Sequence, residues 1–181
     1  PLYSSAASDV YKRQSLDSEW VRLLRVFVSH RRLTLGAQSG YPERLRHLRR
    51  GHTIEDVEAS VIVANDAGFA VNLDVMVGFP CESQEELHTT LDFICRMHRG
   101  YRVHTQVHHF MPLPGTALEY GFPSFPGIQD KERLTRMERD GLITGQWKAG
   151  AHDARRYLSW LRRFHPDIYE QFLPDRQEKQ P

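Results

Sequence analysis

Cysteine is scarce in this sequence. The 181 residues contain two, Cys81 and Cys95, too few for a disulfide framework and too few for a cluster or a cysteine-rich zinc site built from this chain alone. An excess of one charge is also missing. Lys and Arg number 24 against 23 Asp and Glu, a net +1, so no overall field draws the chain to nucleic acid or to an anionic membrane, and neither is an expected partner on that ground. No apolar run approaches the length that crosses a bilayer, and the N-terminus lacks the basic-then-apolar order of a secretory signal. A cytoplasmic protein is expected. What is present, 40% hydrophobic and 26% charged residues, suits one globular domain with a real core.

Pro1 to Gln14 carries no apolar periodicity, and Asp9-Val10-Tyr11-Lys12-Arg13-Gln14 resembles the translated end of a transposase adapter used in preparing sequencing libraries. Residues 1–14 are therefore expected to be a foreign leader, with the natural gene cut just before Ser15. From Leu16 to Val28, Trp20, Leu23, Leu24, Phe27 and Val28 fall at helical spacing. A strand is expected over 32–37, a helix over 43–50 behind Pro42, and a second helix capped by Thr53, with Ile54, Val57, Val61, Ile62 and Ala64 on one face and Gly68 closing it. A strand over 70–77 leads to a helix opened by Ser83 and Glu86, with Leu87, Leu91, Ile94 and Cys95 as its stripe. A third strand is expected over 102–111. Beyond Thr116 come a linker rich in Gly, Pro and Phe, a short helix near 131–139, and a tail helix with Tyr157, Trp160, Leu161, Phe164 and Ile168. The alternation of strands and helices favours parallel pairing in an α/β fold.

Each strand has one apolar and one polar face. Val71, Leu73, Val75 and Val77 oppose Asn72, Asp74, Met76 and Gly78; Val103, Thr105 and Val107 oppose His104, Gln106, His108 and Phe110; Leu33, Leu35 and Ala37 oppose Thr34, Gly36 and Gln38. A parallel sheet covered on both sides is apolar on both faces, because burying an unpaired carboxylate or amide costs several kcal/mol. The economical explanation is a barrel or part-barrel whose polar faces line an occupied interior.

Four segments carry a family resemblance: Leu35-Gly36-Ala37-Gln38-Ser39-Gly40, Arg49-Arg50-Gly51-His52-Thr53, Asp74-Val75-Met76-Val77-Gly78-Phe79-Pro80 with Glu82-Ser83, and His109-Phe110-Met111-Pro112-Leu113-Pro114-Gly115-Thr116. In order and spacing they resemble the later half of radical S-adenosylmethionine (SAM) barrels. The resemblance implies an α/β fold, a partial TIM-like (β/α) barrel truncated at the N-terminus, with barrel over 15–128 and a helical extension over 129–181. It implies SAM and a 4Fe-4S cluster as cofactors, and an enzyme that generates a 5′-deoxyadenosyl radical. Gly145-Gln146-Trp147 is similar to a late motif of the group carrying a cobalamin-binding domain, which implies cobalamin in the full-length protein. By resemblance, Gln38 and Ser39 face the ribose and methionine of SAM, Arg50 pairs with its carboxylate, Gly78 and Pro80 leave room for the nucleoside, and Phe110, Met111 and Pro112 lie beside adenine. Asp74 matches an acidic strand position, and Cys81 stands where the family commonly has glycine.

No CxxxCxxC is present. The family holds three irons through those thiolates, and the motif is expected upstream of Ser15, on a further part of the same chain, leaving this part inert alone. The expected partners are that upstream part and a small-molecule substrate contacted by His104 and His108. Two other readings stay open. One is a metal-dependent hydrolase or lyase using Asp74, His104 and His108; the other is a noncatalytic remnant or interaction module built on the tail helix.

Overall fold

The computed structural model describes residues 17–173; the leader expected at 1–14 lies outside the described residues. The elements are α1 (Ser18–Phe27), β1 (Arg32–Gln38), α2 (Pro42–His47), α3 (Ile54–Asp66), β2 (Ala70–Val77), α4 (Gln84–Gly100), β3 (Val103–His109), α5 (Ile128–Arg139), β4 (Ile143–Thr144), α6 (Trp147–Phe164) and α7 (Pro166–Tyr169), followed by a 3₁₀ turn, Glu170–Phe172. The strands form one parallel four-stranded sheet in the order β1-β2-β3-β4. β1 and β2 are parallel neighbours. Between β2 and β3, Val71 N–H donates to Arg102 O, and Phe110 N–H donates to Val77 O; bonds that advance together along both strands mark parallel pairing. The expected α/β architecture, part of a TIM-like barrel, is present.

The described residues divide into two compact units: 17–75 together with 85–105, and 76–84 together with 106–173. In the first, Val71, Leu73 and Val75 are almost fully buried while Asn72 and Asp74 are half-buried, so the alternation read from the sequence is the alternation of faces. α3 and α4 supply the rest of this core through Ile54, Val57, Val61 and Ala64, and through Leu87, Leu91, Phe93, Ile94 and Met97. The start of α3 is fixed by a capping box in which Thr53 Oγ1 accepts from Asp56 N–H and Asp56 accepts from Thr53 N–H. Gly68, at φ 88°, ends it. Arg44 of α2 and Glu86 of α4 form a buried two-pronged ion pair, Nε to Oε1 at 2.5 Å and Nη2 to Oε2 at 2.9 Å.

Two apolar expectations are corrected. Ile62 is exposed, because it sits one position past the Val57–Val61 stripe and the helix turns it outward. Cys95 is half-buried, and the place on the α4 stripe is taken by Met97, three residues beyond Ile94. On α1 only Val21 is buried; Trp20, Leu23 and Phe27 are exposed. That helix is amphipathic, but its main apolar face is not covered by the described residues.

In the second unit α6 buries Ala151, Ala154, Leu158 and Leu161, a spacing of three and four that keeps one face inward. Leu158 and Leu161 pack on Phe172, with Tyr120, Phe122, Phe125 and Tyr157 around them. Among the described residues no helix is long and apolar enough to cross a membrane.

Candidate cofactor site

In the first unit the polar sheet face is organised by a bulge and two left-handed turns. β1 pairs Gly36 with Asp74, then Gln38 with Val75, so Ala37 is the extra residue. Gln38 itself has φ 64°. Its side chain folds back, so that a Cβ built on Gly36 would lie 2.9 Å from Gln38 Nε2 and 3.3 Å from Arg50 Nη2. Arg50 reaches this place from a loop flanked by Arg49 at φ 50° and Gly51 at φ 72°. Gln38 and Arg50 thus converge over Gly36, with Asp74 the next residue across on the same face. The Val71 to Arg102 bond fixes the register that sets His104 beside Asn72, also on this face.

One polar atom of this face and one of the loop that carries Arg50 are unsatisfied among the described residues. Asn72 Oδ1 and His52 Nε2 are buried without a hydrogen-bond partner among the described residues, where most buried polar atoms are paired. Burial, followed by the Arg50 charge, holds the His52 pKa below its ordinary value of 6.5, so the ring is neutral near neutral pH. Sequence reasoning passed over His52; the signal was its place two residues from Arg50. Ser39 does not join this group. It is 1% exposed, its hydroxyl lies 3.2 Å from Thr90 Oγ1, and it accepts from Tyr41 N–H, which ties β1 to α4.

In the second unit Gly78, at φ 79°, is the pivot of the turn after β2. Its N–H donates to Glu82 Oε2 and its carbonyl accepts from Ser124 N–H. The room above Gly78 is filled: a Cβ there would lie 2.4 Å from His109 Nε2. The glycine makes space for His109. That histidine is 5% exposed, with Nδ1 2.9 Å from Phe110 O and Nε2 3.0 Å from Ser124 O, and its ring stacks on Phe125. Pro80 and Pro112 are buried, Phe110 packs on Phe79 at 5.8 Å, and Met111 and His108 are half-buried. Cys81 has φ 56°, a conformation that glycine adopts without cost, which accounts for a glycine being favoured there.

Among the described residues neither a metal nor a cluster has an assembled ligand set. Cys81 is exposed on the turn and Cys95 half-buried on α4, and two thiols cannot supply three thiolates. Among the described residues no group of three His, Cys, Asp or Glu is placed to hold a metal ion, so Asp74, His104 and His108 are not gathered as the hydrolase reading requires.

Comparison with known proteins decides the family. The Radical SAM superfamily model matches residues 13–94. Over that stretch this is a radical SAM superfamily domain. The match begins two residues inside the segment read as foreign and includes β1, β2 and the Gln38, Arg50 and Asp74 cluster. The chain is 32% identical over 118 residues to the threonylcarbamoyladenosine tRNA methylthiotransferase of Aquifex aeolicus, covering 62% of this chain and 28% of that protein. It is 35% identical over 109 residues to the probable threonylcarbamoyladenosine tRNA methylthiotransferase of Pyrococcus horikoshii (59% and 25%). It is 30% identical over 137 residues to the tRNA-2-methylthio-N(6)-dimethylallyladenosine synthase of Thermus thermophilus (72% and 26%). The chain thus spans about a quarter of the length of these curated relatives. The family match and these relatives give no support to cobalamin.

Proposed function

We propose that this chain supplies the SAM-facing later strands of a radical SAM enzyme whose cluster ligands lie outside the 181 residues. The observation that carries the reading is the convergence of Gln38 and Arg50 over Gly36 beside Asp74, on the face that also carries the orphaned buried Oδ1 of Asn72. A bare glycine with polar side chains leaning across it suits a zwitterionic nucleoside. The Arg50 guanidinium takes the methionyl carboxylate; Gln38 and Asn72 hydrogen-bond the ribose and the amino group; Asp74 sets the negative end that the sulfonium and ammonium groups prefer. His104, beside Asn72, contacts the substrate in this reading, and His108, Phe110, Met111 and Pro112 keep the roles the resemblance implies. Bound SAM supplies a carbon–sulfur bond whose one-electron cleavage releases a 5′-deoxyadenosyl radical. Two cysteines cannot hold the cluster that delivers the electron, so the chain alone is inert, in a cytoplasmic setting. The names of the relatives add a second substrate class to the small molecule expected from the sequence: a nucleoside within tRNA, which we take as the first to test.

Equilibrium dialysis of radiolabelled SAM against the chain tests the reading. Arg50→Met should weaken binding about 10-fold or more, the loss of a hydrogen bond to a charged group, while Ser39→Ala should leave it unchanged. Equal binding by the wild type and Arg50→Met sinks the assignment.

A further inference from the structure

We propose that the outward face of α6 is a binding surface for unpaired RNA. The inference rests on the tRNA arm of the reading above for its motive and on the residues of α6 for its argument. Charge, balanced over the whole chain, is not balanced here. α6 carries Lys148, Arg155, Arg156, Arg162 and Arg163 against Asp153 alone, a net +4 with His152 neutral. Among the described residues Arg156, Arg162 and Arg163 have no ion-pair partner. A polyanion neutralises such a stripe.

Large rings stand out between those cations. Trp160 is 48% and Phe164 56% exposed, one helical turn apart. Tyr157 and Trp160 lie nearly parallel at 6.5 Å and 17°, Trp160 contacts Phe164 at 6.2 Å and His165 at 4.7 Å, and the Arg163 guanidinium sits 5.1 Å from the Phe164 ring. Tyr157 packs on the core at Phe172, but the core does not need Trp160 and Phe164, because Ala151, Ala154, Leu158 and Leu161 already fill the inward face. Exposed rings interleaved with arginines are what splayed bases and their phosphates require: π faces to stack on and cations to neutralise the backbone. A double helix offers no free base face. A lipid surface suits an unbroken apolar face, which the arginines interrupt.

The test uses the whole chain without SAM, so that its failure and failure of the SAM site are separable. Fluorescence anisotropy is measured on a labelled RNA hairpin with an unpaired loop and on a fully paired duplex of the same length. The hairpin should bind more tightly than the duplex. Trp160→Ala should weaken hairpin binding by roughly 5- to 150-fold, the span for loss of one stacked base, with an unchanged melting temperature because the ring is half-exposed. Arg156→Gln combined with Arg163→Gln should flatten the slope of log affinity against log salt by about 1.4, near 0.7 for each phosphate contact. Equal affinity for hairpin and duplex would overturn the proposal. So would binding only to phosphatidylserine vesicles, or self-association in sedimentation that Trp160→Ala abolishes without any RNA binding.

Discussion

Arg44 and Glu86 give the sharpest stability prediction. Both are buried, at 9% and 4% exposure, and joined by two charge-assisted bonds of 2.5 and 2.9 Å. Removing one member strands the other charge away from water, which costs about 3–5 kcal/mol, whereas replacing both with apolar groups of similar volume is close to neutral. Arg44→Met and Glu86→Leu should therefore each lower stability by about 3–5 kcal/mol. At about 2–4 °C per kcal/mol for a chain of this size, the melting temperature falls by roughly 6–20 °C. The double variant should recover most of the loss. Urea titrations of all four proteins, followed by far-ultraviolet circular dichroism, close the thermodynamic cycle. Single variants that lose less than about 1 kcal/mol, as an exposed pair would, or a double variant that loses the sum of the two, would refute the reasoning.

Two further outcomes concern His109. Gly78→Ala combines a left-handed backbone with a Cβ 2.4 Å from the imidazole and should cost roughly 2–5 kcal/mol, part of which His109→Ala in the same chain restores; chemical denaturation of the pair measures both. The His109 pKa is pulled below its ordinary value of 6.5 chiefly by burial, against the Phe110 and Ser124 carbonyls, which favour the charged ring, with Arg155 adding to the depression. Below pH 6.5 the unfolded chain then binds a proton that the folded chain refuses until lower pH, so stability falls as pH drops through that window; urea midpoints between pH 5 and 8 should show a shallower fall in His109→Asn than in the wild type.

Strand faces were the most legible part of the fold, because a period of two with Val, Leu and Thr on one side leaves a single way to lay each strand down. β2 falls on the expected residues, 70–77. The same parity places His109 with Thr105 and Val107 on the buried side. Counted along the strand, His109 belongs to the core. Ser39 and Gly78 were legible as turn residues but not as occupied ones, since the Thr90 hydroxyl and the His109 ring that engage them lie 51 and 31 positions away in sequence. α1 shows the converse: helical spacing establishes which face is apolar, not whether anything covers it. The convergence of Gln38 and Arg50 could not be read from spacing, because it depends on the bulge at Ala37 and on Arg49 taking a conformation unusual for a side chain with a Cβ.

Gly36 also makes the site adjustable at a single position. The carriers of its polar groups are a strand end and a surface loop, both outside the apolar layer formed by Val71, Leu73 and Val75. Any side chain placed at 36 would work like a stopper, pressing on Gln38 Nε2 and the Arg50 guanidinium, which lie 2.9 and 3.3 Å from a Cβ there, and leaving the sheet beneath it whole. Graded stoppers from alanine to valine would separate what the protein needs in order to fold from what it needs in order to hold a ligand.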